Sequence, residues 1–164
     1  MASKIFIGIA IVLLVLVLAY VARLIYLVQN TPAAQGFGNG LAITACATSK
    51  PNCVSTLNTE DGFKANPIAF TGDAASALAK LKAAIQTEPN SEVVFENAQQ
   101  IDVTFKTALF GFRDDASFAL NLPANQIEFR FEFRSQSRVG YSDLGVNAKR
   151  IERIRAEFAR INPQ

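Results

Sequence analysis

Histidine and tryptophan are absent from this 164-residue chain, which also contains only two cysteines and one methionine. The lack of histidine excludes Ser–His–Asp and Cys–His catalysis, because both depend on an imidazole that carries the proton. Two cysteines without histidine cannot provide the four ligands of a normal zinc site. From these absences we expect no bound metal and no cofactor.

Charged residues are also missing from the first part of the chain. The eighteen residues from Ile5 to Ala22, IFIGIAIVLLVLVLAYVA, carry no charge. As a helix they would be roughly 27 Å long, close to the hydrocarbon thickness of a bilayer. Arg23 interrupts the run before LIYLV continues it to Val28, and an arginine near a helix end can snorkel to the headgroups. Residues 1–28 are therefore predicted to form a single transmembrane anchor.

A cleaved signal peptide is the alternative interpretation of this segment. Apolar regions of signal peptides have about 7–15 residues and end at a small-residue cleavage site. Here the run is longer, and Thr31-Pro-Ala-Ala is a poor site. A lipidation box suggested by Ile43-Thr-Ala-Cys46 lies too far beyond the apolar run. We expect an uncleaved anchor that contacts lipid and, through residues 5–28, integral membrane partner proteins.

The two cysteines, Cys46 and Cys53, are separated by six residues. Thioredoxin-like redox motifs have two intervening residues, so a structural disulfide that closes a small loop is the simplest interpretation. Such a bond implies an oxidising compartment. Lys4, before the apolar run, favours a cytoplasmic N-terminus. Together these features predict a protein of the inner (cytoplasmic) membrane whose domain lies in the periplasm.

Charge beyond the anchor is balanced. Of the 16 Lys and Arg residues, Lys4 and Arg23 precede residue 30, which leaves 14 basic residues against 14 acidic ones. Phosphate affinity needs a net basic surface, so a nucleic-acid partner is not expected.

Composition and periodicity divide the rest of the chain into a tether and one folded domain. Residues 29–45 are uncharged and rich in Gly, Ala and Asn, which is typical of a flexible tether. The external domain, residues 46–164, should contain a helix capped by Thr71 or Asp73 and a C-terminal amphipathic helix, because apolar residues recur there at helical spacing.

Alternating segments between the two helices predict four strands. The last of them, QIEFRFEFR, carries Ile127 and three phenylalanines on one face and alternating Glu and Arg on the other, which predicts a half-buried antiparallel strand. The predicted fold class is α+β: a single transmembrane helix followed by a small antiparallel sheet of about four strands packed by helices. The predicted strands cover residues 91–97, 101–107, 115–122 and 126–134, and the last helix covers 146–161.

Several segments are similar to sequence boxes of a known family. PNCVST (51–56), NPIAF (66–70), GFRDDASF (111–118) and above all RSQSRVGYSDLGVNAKR (134–150) resemble boxes of the domain-of-unknown-function family 1499. The resemblance covers residues 42–160. Thr56 stands where a second serine is usual, and the first cysteine is slightly displaced. The family has no established enzymatic activity, so the resemblance implies a fold more than a function.

Polar residues of the last two boxes form the candidate cluster. Asp114 and Asp115 are neighbours on a strand, so they should point to opposite faces and make a poor paired-carboxylate site. In the structural hypothesis, arginines at the strand end bind Asp114, Asp115 or Asp143, and Ser142 or Asp143 caps the last helix. The candidate binding or structural residues are Asp114, Asp115, Arg134, Ser135, Ser137, Arg138, Tyr141, Asp143 and Asn147.

The same cluster allows a ligand-binding hypothesis. Arginines, hydroxyl groups and glycines before a helix N-terminus are the ingredients of an anion site, although Asp143 would compete for the same donors. The ligand would be an anion or an acidic partner segment, held by Arg134, Ser137, Arg138 and Tyr141.

The function predicted from the sequence is that of a non-catalytic accessory subunit in a larger membrane complex, such as a photosynthetic or respiratory assembly. A ligand-binding module is the alternative, and an unrecognised hydrolase is a third hypothesis. The apolar segment ALFGF (108–112) either completes the core or contacts another protein or lipid.

Overall fold

The computed structural model describes residues 2–33, 37–40, 42–122 and 129–163. Within them a long N-terminal helix precedes an antiparallel sheet with two further helices, so the predicted α+β class is confirmed. In chain order the elements are α1 (Ala2–Asn30), β1 (Cys53–Ser55), β2 (Ile68–Phe70), α2 (Ala74–Gln86), β3 (Ser91–Glu96), β4 (Gln100–Lys106), β5 (Arg113–Asn121), β6 (Phe129–Ser137) and α3 (Val146–Ile161).

Six strands, rather than about four, form the sheet. The order is β1–β6–β5–β4–β3, and β2 also pairs with β6. The sequence prediction misses β1 and β2 because each has three residues, too few to display alternation. Both pair antiparallel with β6: Val54 of β1 lies opposite Ser135, and Ile68 of β2 lies opposite Phe131.

The last strand ends later than predicted. β6 continues to Ser137, which pairs with Asp114 of β5, so the residues SQS (135–137) belong to the strand and not to the loop after it. Residues 123–128, with Ile127, lie outside the described residues. Ser135 and Ser137 sustain the strand although serine is a weak strand former, because both face inward and hydrogen-bond to buried side chains.

The two domain helices occupy the predicted positions. Asp73 caps α2 by accepting a hydrogen bond from the Ser76 N–H at 2.7 Å, which satisfies one of the free donors of the first turn. Leu81 and Ile85 of α2, and Ile154 of α3, are fully buried. The helical spacing therefore identified the faces that cover the sheet.

The core lies between these helices and the inner face of the sheet. Phe131 stacks on Phe70 with ring centroids 4.7 Å apart and meets Phe158 of α3 edge-on at 5.9 Å. Phe118 and Phe133 are also fully buried, and burying a phenylalanine stabilises a fold by roughly 1.5–3 kcal/mol. The phenylalanine alternation of β6 is thus the centre of the core.

The N-terminal helix stands apart from the core. The segment Lys4–Asn30 is long and apolar enough to cross a membrane, with a mean hydropathy of 3.1, and its apolar side chains are exposed. The helix ends at Asn30, two residues beyond the predicted anchor. Its end meets the domain, since Arg113 donates to the Gln29 carbonyl at 3.0 Å and Arg138 to the Thr31 carbonyl at 3.3 Å.

Part of the segment predicted as a tether lies on the outer face of the sheet. A bulge between Val93 and Phe95 turns the Phe95 ring to this face, where a Cβ on Gly40 would be 2.7 Å from the ring. The Gly38 N–H donates to Asp102 at 2.8 Å. Glycine at residue 40 is required both by this close approach and by its left-handed backbone, with φ of +71°.

The predicted disulfide is present and joins Cys46 to Cys53. Asn58 holds the start of this loop, because its side chain accepts from the Cys46 N–H at 2.6 Å and donates to the Cys46 carbonyl at 3.2 Å. The tether therefore enters the domain at a covalently closed loop next to β1.

Candidate functional site

Seven of the nine candidate polar residues divide into two groups on opposite faces of the sheet. Asp114 and Asp115 point away from each other, as neighbouring strand residues must. Asp114 joins an inner cluster beneath α3, and Asp115 joins an outer cluster on the far face. The inner cluster consists of Asp114, Ser135, Ser137, Asp143, Asn147 and Arg150; the outer cluster consists of Thr104, Asp115 and Arg138.

Asn147 is the hub of the inner cluster and is fully buried. Its side-chain oxygen accepts from Ser135 at 2.6 Å and from Arg150 at 3.0 Å. Its side-chain nitrogen donates to Ser137 at 3.1 Å and to Asp143 at 2.8 Å. All four hydrogen-bonding positions of the amide are thus used, which is what a buried amide requires.

Asp143 accepts the hydrogen bonds at the start of α3 that an N-cap side chain would normally accept. The residue at the N-cap position is Gly145, which has no side chain to offer. The Asp143 carboxylate instead accepts from the Gly145 N–H at 3.0 Å and from the Asn147 N–H at 2.9 Å. The capping role predicted for Asp143 is therefore found two residues earlier than the formal cap position, while the Ser142 hydroxyl accepts from the Leu144 N–H.

Arg150 belongs to the inner cluster but is not among the residues predicted from the sequence. Its guanidinium donates to Asp114 at 2.8 Å and lies over the Phe105 ring at 4.4 Å from the centroid, an arrangement that adds a cation–π attraction to the ion pair. A signal existed, because Arg150 follows Asn147 by three residues and precedes Ile154 by four, so it shares the buried face of α3. An arginine is rarely buried unless it is paired, so the residue type alone does not suggest a buried position for Arg150.

The outer cluster is built on a two-point ion pair. Arg138 donates to Asp115 through Nε and Nη2, both at 2.8 Å. Thr104 donates to the same carboxylate at 2.9 Å and lies 3.3 Å from Arg138 Nη2. The remaining guanidinium nitrogen, Nη1, donates to the Thr31 carbonyl beyond the end of α1, so this pair joins the sheet to the segment that follows α1.

Two candidate residues depart from the prediction. Arg134 has no carboxylate partner among the described residues; it donates to Thr44 and Gln136, and burial lowers the pKa of its guanidinium. It faces the tether because residues of even number on β6 point outward, away from Asp114. Tyr141 belongs to neither cluster and is 71% exposed in the turn that follows β6.

A family model matches most of this chain. The model described as "Protein of unknown function (DUF1499)" matches residues 42–158, which include both clusters and the disulfide. The chain belongs to the DUF1499 family. No curated protein matches it.

The DUF1499 domain has an open cleft of about 340 Å³ beside the inner cluster. Asp114, Ser137 and Asp143 contribute polar groups to it, and Leu144 and Val146 belong to its apolar wall. The cleft lies at the end of the sheet where β5 begins and β6 ends. Both carboxylates are already bonded within the inner cluster.

The chemistry open to these DUF1499 residues is limited by their partners. The Ser137 hydroxyl donates to Asp114 at 2.5 Å, but the same carboxylate is paired with Arg150, and a carboxylate beside a cation is a poor proton acceptor. Within the part of the chain that the structure describes, three or more His, Cys, Asp or Glu side chains do not gather at any point where a metal could bind. The arrangement is suited to fixing the strand-to-helix connection.

Proposed function

We propose that this DUF1499 protein is a single-pass membrane protein without catalytic activity, which serves as an accessory subunit of a larger membrane complex. Its domain would lie on the periplasmic side of the inner membrane. One observation carries the proposal: α1 exposes apolar side chains on all its sides, while its last turn is hydrogen-bonded to the domain through Gln29. A helix of this kind needs lipid or other helices around it.

The contacts of the polar clusters support a non-catalytic role. Asp114 and Asp115 each have a guanidinium partner, and Asn147 has all its hydrogen bonds within the inner cluster. Groups committed in this way hold the fold together, and carboxylates beside cations are poor proton acceptors. The same contacts weaken the anion-binding alternative, because Arg138 and Arg150 already face carboxylates.

The disulfide and the charge at the N-terminal end support the proposed orientation. A bond between Cys46 and Cys53 persists in oxidising compartments, and Lys4 precedes the span while the end of the span meets the domain. Intact-mass measurement of the protein extracted without reductant tests whether the disulfide is formed and whether the span is retained. A chain of 17.8 kDa, lighter by two hydrogen atoms, is expected; a chain cleaved near Thr31 or a reduced pair would contradict the proposed location.

Photocrosslinking along α1 tests the accessory-subunit role. A photoreactive residue is placed singly at each position from Ile9 to Leu18 of the full chain, and crosslinks are formed in native membranes. A partner helix should be captured at positions that recur every three or four residues, because one face of α1 would contact it. Adducts to lipid at every position, without a defined protein, would overturn this part of the proposal.

A matched pair of variants then checks the captured partner. Tryptophan at a crosslinking position should disrupt co-purification, whereas tryptophan at a position on the opposite face of α1 should not. The non-catalytic part is tested separately with the purified full chain and a panel of carboxylic and phosphate esters. Turnover that disappears in Ser137→Ala would show that the inner cluster is an active site.

A further inference from the structure

One end of the sheet is held beside the last turn of α1. Arg113, the first residue of β5, donates to the Gln29 carbonyl, and Arg138, just after β6, donates to the Thr31 carbonyl. The turns at this end follow β4 and β6. The two turns therefore lie at the same end of the domain as the final turn of α1.

Both turns expose apolar side chains, which we call the apolar rim. Leu109 is 81% exposed and Leu144 is 84% exposed. Phe112 and Leu144 line the same cleft, and Phe110 packs edge-on against Phe112, so the turns form one surface. The members of the apolar rim are Leu109, Phe110, Phe112, Tyr141, Leu144 and Val146.

The backbone at Leu144 emphasises this exposure. Leu144 has φ of +55°, in the left-handed region where a leucine costs roughly 1 kcal/mol more than a glycine. The conformation is fixed by hydrogen bonds from the Leu144 N–H to Ser142 and from the Gly145 N–H to Asp143. These bonds direct the side chain out of the molecule, where an apolar group gains nothing from water.

With α1 spanning a bilayer, the apolar rim would lie at the level of the lipid headgroups. Lys4–Asn30 has 27 residues, and at 1.5 Å per residue this length is roughly 40 Å, the thickness of a bilayer with its headgroups. Gln29 is thus at the surface, next to Arg113. Tyr141 is of the residue type that favours this interface. Exposed Lys50 is at the same end, because Asn52 donates to the Gly140 carbonyl at 3.0 Å.

We infer that the apolar rim inserts into the headgroup region of the bilayer that α1 spans, so the domain rests on the membrane. The inference depends on the proposed anchoring, and it names lipid as the occupant because the apolar rim continues the surface of α1 at its exit from the bilayer. Arg113 and Arg138 hold the sheet end at that height, and Lys50 adds attraction for anionic headgroups.

The absence of tryptophan from the chain permits a direct test. Single tryptophans are introduced into the full chain as Leu109→Trp and Leu144→Trp, with Tyr141→Trp as a conservative third variant. The protein is reconstituted in vesicles of phosphatidylcholine and phosphatidylglycerol. Lipids brominated near the headgroup then quench any tryptophan that lies within the interface.

Two further variants are the controls. Leu122→Trp lies just beyond the far end of β5 and is 49% exposed; ten residues of strand place it roughly 30 Å from Phe112. Leu14→Trp lies in the middle of α1 and reports, with lipids brominated deep in the acyl chain, whether the anchor is inserted.

The expected result is loss of most emission from the apolar-rim variants and from Leu14→Trp, with no loss from Leu122→Trp. Quenching of Leu14→Trp without quenching at the apolar rim would overturn the inference and leave the anchoring intact; a protein partner on the apolar rim would then be the occupant to seek. Equal quenching of Leu122→Trp would also overturn it. If Leu14→Trp is not quenched, the proposed anchoring fails, and the inference fails with it.

Discussion

The guanidinium of Arg138 and the carboxylate of Asp115 form a two-point ion pair, with both nitrogen–oxygen distances at 2.8 Å. Their side chains are only 12% and 3% exposed. The pair is therefore largely removed from water although it lies on the face of the sheet opposite the helices. A pair in this position is costly to break from one side, because the remaining charge stays buried.

Replacement of Arg138 by alanine should destabilise the domain by about 3 kcal/mol, since Asp115 would lose its cation. For a chain of this size the melting temperature should fall by roughly 10 °C. Arg138→Lys keeps the charge but cannot make the two-point contact, so an intermediate loss is expected. Thermal unfolding of the full chain in mild detergent, followed by circular dichroism, measures both.

An exposed ion pair on the same sheet is the matched control. Lys106 and Glu92 are 2.6 Å apart, but their side chains are 42% and 58% exposed. Hydrogen bonding to Lys106 lowers the pKa of Glu92, so any stabilisation is present above the ordinary glutamate pKa and is lost as the pH falls through the lowered value. Because salt screens exposed charges, Lys106→Ala should barely change the melting temperature. Equal losses in the Arg138 and Lys106 variants would refute the distinction.

Asn147→Ala should be one of the more damaging single substitutions. It leaves Ser135, Ser137 and Arg150 without their amide partner in a buried region, and unpaired buried groups cost roughly 1–3 kcal/mol each. Ser135→Ala removes one hydroxyl and leaves the contact between Asn147 and Arg150, so a loss near 1 kcal/mol is expected. Urea unfolding measures the free energy of unfolding of the two variants. If Asn147→Ala is not the less stable of the two, Asn147 is not the hub of the inner cluster.

Asp102→Ala should release the tether from the sheet. The buried Asp102 carboxylate accepts from the Gly38 N–H and from the Gln100 side chain, each at 2.8 Å. Hydrogen bonds to charged groups contribute about 1.5–3 kcal/mol, so exchange of the Gly38 amide should accelerate ten-fold to a hundred-fold. Hydrogen-exchange mass spectrometry of the full chain detects the change. Asn121→Ala, which loses a bond to Glu132 on the same face, should leave Gly38 exchange unaltered.

Reduction of the disulfide should lower stability by about 2 kcal/mol, the value expected for closing a short loop in the unfolded chain. The melting temperature of the full chain is compared with and without reductant. In a variant with both Cys46→Ser and Cys53→Ser, the reductant should have no effect. A melting temperature that responds to reductant in the variant would mean that the agent acts elsewhere.

The long periodic elements were predictable because their patterns extend over many residues. Twelve or more residues with helical spacing located α2 and α3, and alternating phenylalanines marked Phe131 and Phe133 of β6 as core. β1 and β2 escaped prediction because each has three residues and owes its conformation to pairing with β6, not to its own sequence. Such pairing depends on residues about 60 to 80 positions later in the chain.

The candidate site was predictable in its residues but not in its connections. Strand alternation correctly separated Asp114 from Asp115. It could not show that Asp114 selects Arg150 over Arg134, because this choice depends on the end of β6 and on the rotation of α3 above the sheet. Arg134 was assigned a carboxylate partner, and strand alternation already placed it on the outer face. The carboxylate on that face, Asp115, pairs with Arg138, and Arg134 donates to Thr44 and Gln136 instead.

The disulfide also determines how a pull between α1 and the domain is transmitted. Tension along the chain from α1 passes through the sulfur–sulfur bond into Cys53 and then, through the β1–β6 ladder, into the centre of the sheet. The closed loop bears no load. The hydrogen bonds that join the domain to Gln29, Thr31, Gly38 and Thr44 break before any covalent bond does. They then release residues 31–45, which span at most roughly 50 Å when fully extended. The domain thus has a fixed maximum reach from the end of α1, beyond which covalent bonds carry the force.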